Sequence, residues 1–195
     1  MTAAFELFIK YGVKSVSMDD IADKLGISKK TIYAEIPSKE ILIERVLTVH
    51  LRQDEEEVNQ IILTSSNALD EILGISRHVL QFLMMINPVL IYDLKKYYPE
   101  CWSLVENQHF TFIRDLIYNN VVRGINEKLY REDLDPMIIA KLYITLSNTM
   151  VNPEIFPVTQ FDLLNILKQI QRYHLHGIVS DDGRKILSSI SFDKS

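Results

Sequence analysis

The sequence predicts an all-α fold, with a short N-terminal helix-turn-helix followed by several long helices. Apolar residues recur at the spacing of one helix face over long stretches. Glycine and proline number only six each in 195 residues, so few positions interrupt a helix. Hydrophobic residues make up 47% of the chain, which is enough for a sizeable core.

The first helix of the motif is predicted by its start and stop signals. Ser17 is a typical N-cap, and Asp20 three residues later completes a capping box. Val16 can pack against Ile21 beside this cap. Gly26 follows the helix, where a left-handed residue costs glycine little and turns the chain sharply. The expected buried stripe consists of Met18, Ile21, Ala22 and Leu25.

The second helix begins with the same kind of signals. Ser28 is its predicted N-cap, and Ile27 can pack against Ile32 in the first turns of the helix. Ile36 continues the inward face one turn later. The outward residues are then Lys29, Lys30, Tyr33 and Ala34.

These outward residues have the chemistry of a helix that lies in the major groove of DNA. The two ammonium groups suit phosphates or guanine edges, Thr31 supplies a hydroxyl donor, and Ala34 permits close approach. The phenol of Tyr33 suits a phosphate oxygen. A solvated surface helix is the alternative interpretation of the lysines. Two consecutive start signals around a single turn favour the helix-turn-helix.

A longer pattern runs through the first 47 residues. It comprises Ala4, Leu7, Phe8, Tyr11, Gly12, Ser17, Met18, Ile21, Ala22, Leu25 to Ser28, Thr31 to Tyr33, Ser38 to Glu40 and Leu42. This pattern resembles the N-terminal signature of the TetR family of transcriptional regulators. The resemblance implies a three-helix DNA-binding domain over residues 1–47 and a helical domain over residues 48–195 that dimerises and holds a small inducer. It also implies that DNA is faced by Ser17, Ser28, Lys29, Lys30, Thr31, Tyr33 and Lys39.

Three features depart from the family pattern. The chain opens at Met1, about where the family's first helix is already under way, so the basic arm that often touches DNA is missing; an upstream start and a real loss both account for this. Glu35 stands where the family often has an aromatic residue or histidine, and its carboxylate repels phosphate unless it turns away or pairs with Lys39. Ile36 replaces the usual phenylalanine, which changes only the packing.

The charge distribution predicts modest rather than tight non-specific DNA binding. Residues 1–47 contain six lysines and one arginine against seven acidic residues, so this segment is formally neutral and the net charge of −5 lies beyond it. Lys24, Lys29 and Lys30 nevertheless cluster without an acidic residue between them. We therefore expect affinity to depend on correct dimer geometry.

Caps and prolines divide the rest of the chain into long helices. Ser38 follows Pro37 and is the expected cap of a helix that connects the two domains. Asn87-Pro88 and Pro99 are the expected breaks in the middle of the chain. The predicted helices cover residues 39–65, 67–86, a short segment to 98, 99–126, 136–151 and 160–178.

The last two long helices are apolar on more than one side. In the first, Ile138, Leu142 and Leu146 form one stripe and Ile139, Tyr143 and Met150 another; in the second, Leu163, Leu167, Ile170 and His174 run beside Leu164, Ile166 and Tyr173. A monomer needs only one stripe per helix, so the surplus predicts a four-helix bundle with a second copy, although two central helices are an alternative. The expected dimer interface comprises Ile139, Tyr143, Leu146, Met150, Leu163, Leu167, Ile170 and His174.

The middle helices carry aromatic residues where the family's inducer pocket would lie. Aromatic walls with a few hydroxyls suit a flat or apolar small molecule, although aromatic residues at helical spacing also fill ordinary cores. Two histidines are candidate polar anchors. The candidate ligand-binding residues are Tyr97, Trp102, Phe110, Phe112, Tyr118, His78 and His109.

Metal binding, catalysis and membrane insertion receive no support from the sequence. His174 and His176 are two residues apart and point to nearly opposite sides of a helix. We find no glycine-rich phosphate loop, nucleophile elbow or metal-ligand spacing, and we expect no metal, no cofactor and no enzymatic activity. The apolar run from Phe82 to Tyr92 is too short to span a bilayer, and the N-terminus lacks a secretion signal. A single cysteine, Cys101, excludes an internal disulfide and fits the cytoplasm.

We therefore expect a homodimeric transcriptional repressor that binds a palindromic operator in double-stranded DNA and is released by a small-molecule inducer. The alternative is a helical dimer that binds a ligand or a protein partner and has lost DNA binding. Glu35, the missing arm and the neutral N-terminal segment favour this alternative.

Overall fold

Long stretches of helix-forming residues between caps and prolines produce the expected architecture, and the all-α prediction is confirmed. The computed structural model describes residues 1–85, 87, 89–150, 152, 154–157 and 159–189, with the backbone alone at residues 108, 109 and 189. The described residues form ten helices and no strand: α1 Thr2–Tyr11, α2 Met18–Leu25, α3 Lys29–Glu35, α4 Lys39–Thr64, α5 Ala68–Met85, α6 Val89–Tyr97, α7 Pro99–Asn126, α8 Pro136–Met150, α9 Leu163–Ile178 and α10 Asp181–Ser189.

The long helices begin and end close to their predicted bounds, since local signals set them. Pro99 and Pro136 are the first residues of α7 and α8, where the missing N–H of proline costs nothing. α9 begins three residues later than predicted because Asp162 caps it and accepts the N–H of Asn165 at 2.9 Å. α10 has no counterpart among the predicted helices.

The chain divides into two compact units. Unit 1 contains Met1–Glu57 and Met85–His109, and therefore includes α1 to α3, most of α4, α6 and the first part of α7. Unit 2 contains Val58–Met84 and the described residues from Phe110 onward. The boundary between residues 47 and 48 stays a prediction.

The core of unit 1 is built from one face of each helix around the helix-turn-helix. Its most deeply buried side chains, each at most 1% exposed, are Phe8, Val13, Ile21, Ile43 and Val46. α1 packs on α2, α2 packs on α3, and α1 also packs on α6. The orientation of α2 and α3 is therefore fixed by apolar contacts on their inner faces.

Two residues predicted to lie inward in the motif are exposed. Leu25 is 47% exposed and Ile27 is 42% exposed, and the packing of Ile27 against Ile32 stays a prediction. α2 is only eight residues long, and the chain turns away at Gly26 directly after Leu25. Leu25, the last position of the apolar stripe, is therefore exposed because no further turn of α2 follows to cover it.

The core of unit 2 is larger and contains a buried polar network. Asn120 donates to the carbonyl of Ala68 and to the carboxylate of Glu71, both at 2.9 Å. Arg123 donates to the other oxygen of Glu71 at 2.7 Å, and the hydroxyl of Tyr130 contacts the amide oxygen of Asn120 at 2.9 Å. Glu71, Asn120 and Tyr130 are each at most 3% exposed, so these partners satisfy groups that water does not reach.

The end of α9 is joined to the loop that follows α7. Tyr130 and Val179 form an isolated antiparallel bridge, and the N–H of Arg131 donates to the carbonyl of Ile178 at 2.9 Å. The N–H of Ser180 donates to the carbonyl of Leu129 at 2.9 Å. These bonds hold residues about fifty positions apart in the sequence, and α10 follows immediately.

Candidate nucleic-acid interface

The N-terminus of α2 is a complete capping box, as predicted. The hydroxyl oxygen of Ser17 accepts the N–H of Asp20 at 3.1 Å, and the carboxylate of Asp20 accepts the N–H of Ser17 at 2.7 Å. The hydroxyl of Ser17 also donates to that carboxylate at 2.6 Å. These hydrogen bonds favour the ionised carboxylate and lower the pKa of Asp20.

The turn between the two helices has the predicted glycine geometry. Gly26 adopts φ 66° and ψ 30°, in the left-handed region, and the N–H of Ile27 donates to the carbonyl of Ala22 at 3.1 Å. Ser28 then caps α3, accepting the N–H of Thr31 at 3.1 Å. Both halves of the predicted helix-turn-helix are therefore present.

α3 presents polar side chains outward and one buried isoleucine inward. Ile32 is 6% exposed, and Ile36 directly after the helix is half-buried. Tyr33 is 41% exposed. The other predicted DNA-facing residues of this segment are also exposed: Ser28, Lys29, Lys30 and Thr31.

The two lysines of α3 differ in their surroundings. The ammonium group of Lys29 donates to the carboxylate of Asp19 on α2 at 2.7 Å, and this contact raises the pKa of Lys29. Lys30 has no such partner among the described residues. The sequence does not predict this ion pair, because Asp19 and Lys29 lie on different helices, ten residues apart, and the spacing rules for charged pairs apply within one helix.

Lys39 lies at the start of α4, beside the turn between α1 and α2. Its ammonium group donates to the backbone carbonyl of Lys14 at 3.5 Å and lies 5.7 Å from the centre of the Tyr98 ring. Partial burial lowers the pKa of Lys39. Ser38 caps α4 through the N–H of Ile41 at 3.3 Å.

Glu35 ends α3 as an exposed residue. Its backbone carbonyl accepts a hydrogen bond from Arg45 at 3.3 Å, and no pairing of its carboxylate with Lys39 is present among the described residues. Lys39 therefore does not neutralise the Glu35 carboxylate, which was one of the two ways to reduce its repulsion of phosphate. The negative charge remains on the α3 surface.

α6 and Asn87, which precedes it, contact α1 and the turn that precedes α2. The carboxylate of Asp93 accepts the backbone N–H of Lys14 at 2.9 Å, and Asp93 is 3% exposed. Asn87 donates its backbone N–H to the carbonyl of Ile9 at 2.8 Å and its side-chain amide to that of Lys10 at 3.1 Å. An acidic residue within the apolar segment around Leu90 and Leu94 is the only sequence signal of this contact.

The candidate ligand-binding residues are distributed over both units. Tyr97 and Trp102 belong to unit 1, whereas His78, Phe110, Phe112 and Tyr118 belong to unit 2; the side chain of His109 lies outside the described residues. Phe112 packs against the core of unit 2. An open cleft of about 360 Å³ is lined by His78 together with Ile61, Thr64, Ser65, Asp70, Gly74, Arg77 and Gln81. Its lining is polar rather than aromatic.

The residues of the predicted dimer interface are buried or half-buried within unit 2. Leu167 and His174 are 6% and 8% exposed, and His174 packs edge-on against the ring of Tyr143 at 4.7 Å between centroids. Ile139 and Tyr143 contact the unit 2 core, while Leu146, Met150, Leu163 and Ile170 are half-buried. The neighbouring stripe is accessible instead: Ile138, Leu142 and Tyr173 are 57%, 56% and 73% exposed.

The described residues contain neither a metal-ligating cluster nor a single membrane-spanning helix. No cluster of three or more side chains with metal-ligating groups is found there. No single described helix has both the length and the apolar composition to cross a bilayer; α5 and α6 meet these criteria only when the bent pair is taken together.

The fold and the capped, outward-facing α3 define a helical protein with an N-terminal helix-turn-helix. The sequence model of the family described as "Bacterial regulatory proteins, tetR family" matches residues 1–46. A curated relative from Bacillus subtilis (strain 168), described as "Uncharacterized HTH-type transcriptional regulator YvaF", is 26% identical over 173 residues, which cover 86% of this chain and 88% of the relative.

Solved structures share the whole architecture. A transcriptional regulator of the TetR family from Agrobacterium tumefaciens has a TM-score of 0.69 at 17% identity, covering 92% of this chain and 98% of that one. A regulator from Saccharomonospora viridis, described as putative and solved in complex with choline, has a TM-score of 0.67 at 16% identity, covering 92% and 95%. Residues 1–46 therefore match the helix-turn-helix domain of the tetR family of bacterial regulatory proteins, and the fold of the chain is that of TetR-type transcriptional regulators.

Proposed function

We propose that this protein is a DNA-binding repressor that recognises a palindromic operator as a homodimer. The observation that carries the proposal is the pair of capped helices α2 and α3, whose outer face exposes Lys29, Lys30, Thr31 and Tyr33. In this mechanism α3 enters the major groove, and each subunit reads one half-site. The two recognition helices are then spaced by roughly one turn of DNA, about 34 Å.

The accessible stripe on α8 and α9 supports the proposal of a dimer. A surface with three large apolar side chains more than half exposed is a candidate for burial against a second copy. Ile138 and Leu142 lie one turn apart on α8, and Tyr173 lies on α9, the helix that packs on it. We place the dimer interface on these residues, together with the half-buried Leu146 and Ile170 at their margin.

A small molecule bound in the C-terminal helices would regulate DNA binding by favouring one of two dimer geometries. Such a ligand acts through its different affinities for the DNA-binding and DNA-free states. The choline complex of the Saccharomonospora viridis regulator supports a small-molecule ligand by analogy. The polar cleft lined by Asp70, Arg77 and His78 is one candidate position, and its volume of about 360 Å³ is within the range of ligand pockets.

Selection of binding sites from random duplex DNA tests the proposal. We expect an enriched palindrome, and the Lys29→Glu/Lys30→Glu variant should enrich nothing. The matched control is Lys185→Glu, which changes an exposed lysine of unit 2 and should leave the selected sequence unchanged. Absence of a palindrome with the unsubstituted protein, both for this chain and for a version extended upstream of Met1, would contradict the proposal.

A second candidate function is a helical dimer that has lost DNA binding. The ion pair of Lys29 with Asp19 favours it, since this pair neutralises one of the two α3 cations. Salt dependence separates the candidates. A DNA reader loses affinity steeply as salt rises, whereas the second candidate has no specific affinity to lose.

A further inference from the structure

A lysine of the turn between α1 and α2 and a lysine of α6 converge on one tyrosine of unit 1. The ammonium group of Lys14 donates to the hydroxyl of Tyr97 at 2.9 Å and lies 4.2 Å from the centre of its ring. The ammonium group of Lys96 lies 5.4 Å from the same ring and donates to the hydroxyl of Tyr92 at 2.7 Å. We call Lys14, Tyr92, Lys96 and Tyr97 the lysine–tyrosine surface. All four are exposed.

The positive charge of this surface is not neutralised within the described part of the chain. No carboxylate there forms an ion pair with Lys14 or Lys96. The carboxylate of Asp93, which is 3% exposed, accepts the backbone N–H of Lys14 rather than its ammonium group. Two like charges beside one ring repel each other, so a bound anion would stabilise the arrangement. Hydrogen bonding to Lys14 also lowers the pKa of Tyr97, as expected beside concentrated positive charge.

The lysine–tyrosine surface is continuous with the proposed DNA-binding face. Lys39, one of the residues expected to face DNA, donates to the backbone carbonyl of Lys14 at 3.5 Å. Lys14 in turn reaches Tyr97, and Tyr97 contacts Tyr92 edge-on at 6.5 Å between ring centres. A line of donors therefore runs from the start of α4 to the outer side of α6.

We propose that the lysine–tyrosine surface binds the phosphate backbone of duplex DNA that flanks the half-site read by α3. The inference rests on the proposed function, because it extends the same interface. Ammonium and phenol hydroxyl groups are common donors to phosphate oxygens, and such contacts carry no sequence information. Four exposed donor side chains along one surface suit an extended polyanion better than an enclosed small ligand.

The experiment compares two duplexes carrying the selected palindrome, one trimmed to the site and one extended by ten base pairs on each side. Binding of the full chain is measured over a range of salt concentrations. We expect the magnitude of the slope of log affinity against log salt to be larger on the extended duplex. The Lys14→Gln and Lys96→Gln variants should each reduce the slope on that duplex by about one per subunit, and should leave binding to the trimmed duplex unchanged.

Lys95→Gln is the matched control. The substitution removes the same charge from the residue adjacent to Lys96 on α6. In the unsubstituted protein the ammonium group of Lys95 lies 5.0 Å from the centre of the Trp102 ring. The substitution should leave the slope on the extended duplex unchanged. Circular dichroism of each variant establishes that the fold is retained.

The outcomes separate this inference from the proposed function. If the unsubstituted protein selects a palindrome but Lys14→Gln and Lys96→Gln behave like Lys95→Gln on the extended duplex, the inference is wrong and the proposed function stands. Equal losses on the trimmed and extended duplexes would also overturn it, since the lysines would then act through α3. If no palindrome is selected at all, both fail.

Discussion

The carboxylate of Asp93 occupies the space beside Gly12, where an added Cβ atom would lie 2.6 Å from its oxygen. The same oxygen accepts the N–H of Lys14, so one buried acidic group shapes the whole turn between α1 and α2. Gly12 itself has φ 79° and ψ 157°, a backbone conformation that is essentially restricted to glycine. The turn thus depends on glycine for two independent reasons.

Gly12→Ala should destabilise the protein far more than Gly26→Ala. At Gly12 the backbone conformation and the collision with Asp93 act together, and we expect a loss of about 3 kcal/mol in the free energy of unfolding. Gly26 also has a positive φ, but its added Cβ would meet nothing within 4 Å, so a loss of about 1 kcal/mol is expected. Denaturant unfolding of both variants measures the difference. Equal losses would show that the contact with Asp93 has no energetic weight.

Asp19→Asn should strengthen DNA binding if α3 is the recognition helix. The substitution releases Lys29 from its ion pair and removes a negative charge close to the phosphates. We expect a severalfold gain in affinity at low salt and an increase of about one in the magnitude of the salt slope. Asp23→Asn, with the same charge change on the exposed side of α2, is the control and should have the smaller effect. An unchanged affinity for Asp19→Asn would argue against contact between Lys29 and DNA.

Tyr130→Phe should destabilise unit 2 through the polar network. Its hydroxyl is the donor that reaches the buried amide oxygen of Asn120, which the substitution would leave without that hydrogen bond. The expected loss is about 1–3 kcal/mol in the free energy of unfolding. Tyr118→Phe removes a hydroxyl from a residue that is 37% exposed and should be nearly neutral. Thermal unfolding compares the two, and a neutral Tyr130→Phe would contradict the role of the network.

Stability should fall as the pH is lowered from 7 to 5 because of His174. Burial lowers the pKa of this histidine to about 4 from 6.5, and its Nε2 atom has no hydrogen-bond partner among the residues that the structure describes. The folded state therefore keeps His174 neutral where the unfolded state begins to bind a proton, so stability is lost as the pH falls below 6.5 and the loss levels off near 4. Between pH 7 and pH 5 the expected loss is about 2 kcal/mol.

His174→Phe should remove this part of the pH dependence while keeping a ring against Tyr143. His176→Gln changes the exposed histidine two residues away and should retain it. Urea unfolding at pH 7 and pH 5 provides the measurement. An unchanged pH dependence in His174→Phe would assign the acid sensitivity to other groups.

The helix-turn-helix was predictable because its signals are local. Ser17, Asp20, Gly26 and Ser28 act through hydrogen bonds and backbone angles within a few residues of themselves, and all four have the predicted geometry. The pairing of Asp93 with the α1–α2 turn was not predictable in this way, since it joins residues 79 positions apart. No local pattern distinguishes this buried carboxylate from a solvated one.

Tertiary contacts also explain the parts of the second unit that the sequence left undecided. Gly183 interrupts the helical pattern of α10, yet an added Cβ there would lie 2.0 Å from the carbonyl oxygen of Leu129, so glycine permits a close approach of two segments. On α8, Ile138 and Ile139 are equally apolar, and only the packing of α9 determines that Ile139 contacts the core. Periodicity identifies apolar faces but does not say which face is covered.

The bonds between residues 129–131 and 178–180 have a consequence for biosynthesis. Unit 1 ends at His109, so all of its segments have been synthesised when little more than half of the 195 residues have been translated. Unit 2 needs Val179 to pair with Tyr130 and Leu187 to fill its core. The nascent chain can therefore carry a formed helix-turn-helix for the time needed to translate about 80 further residues, before its second unit is able to close.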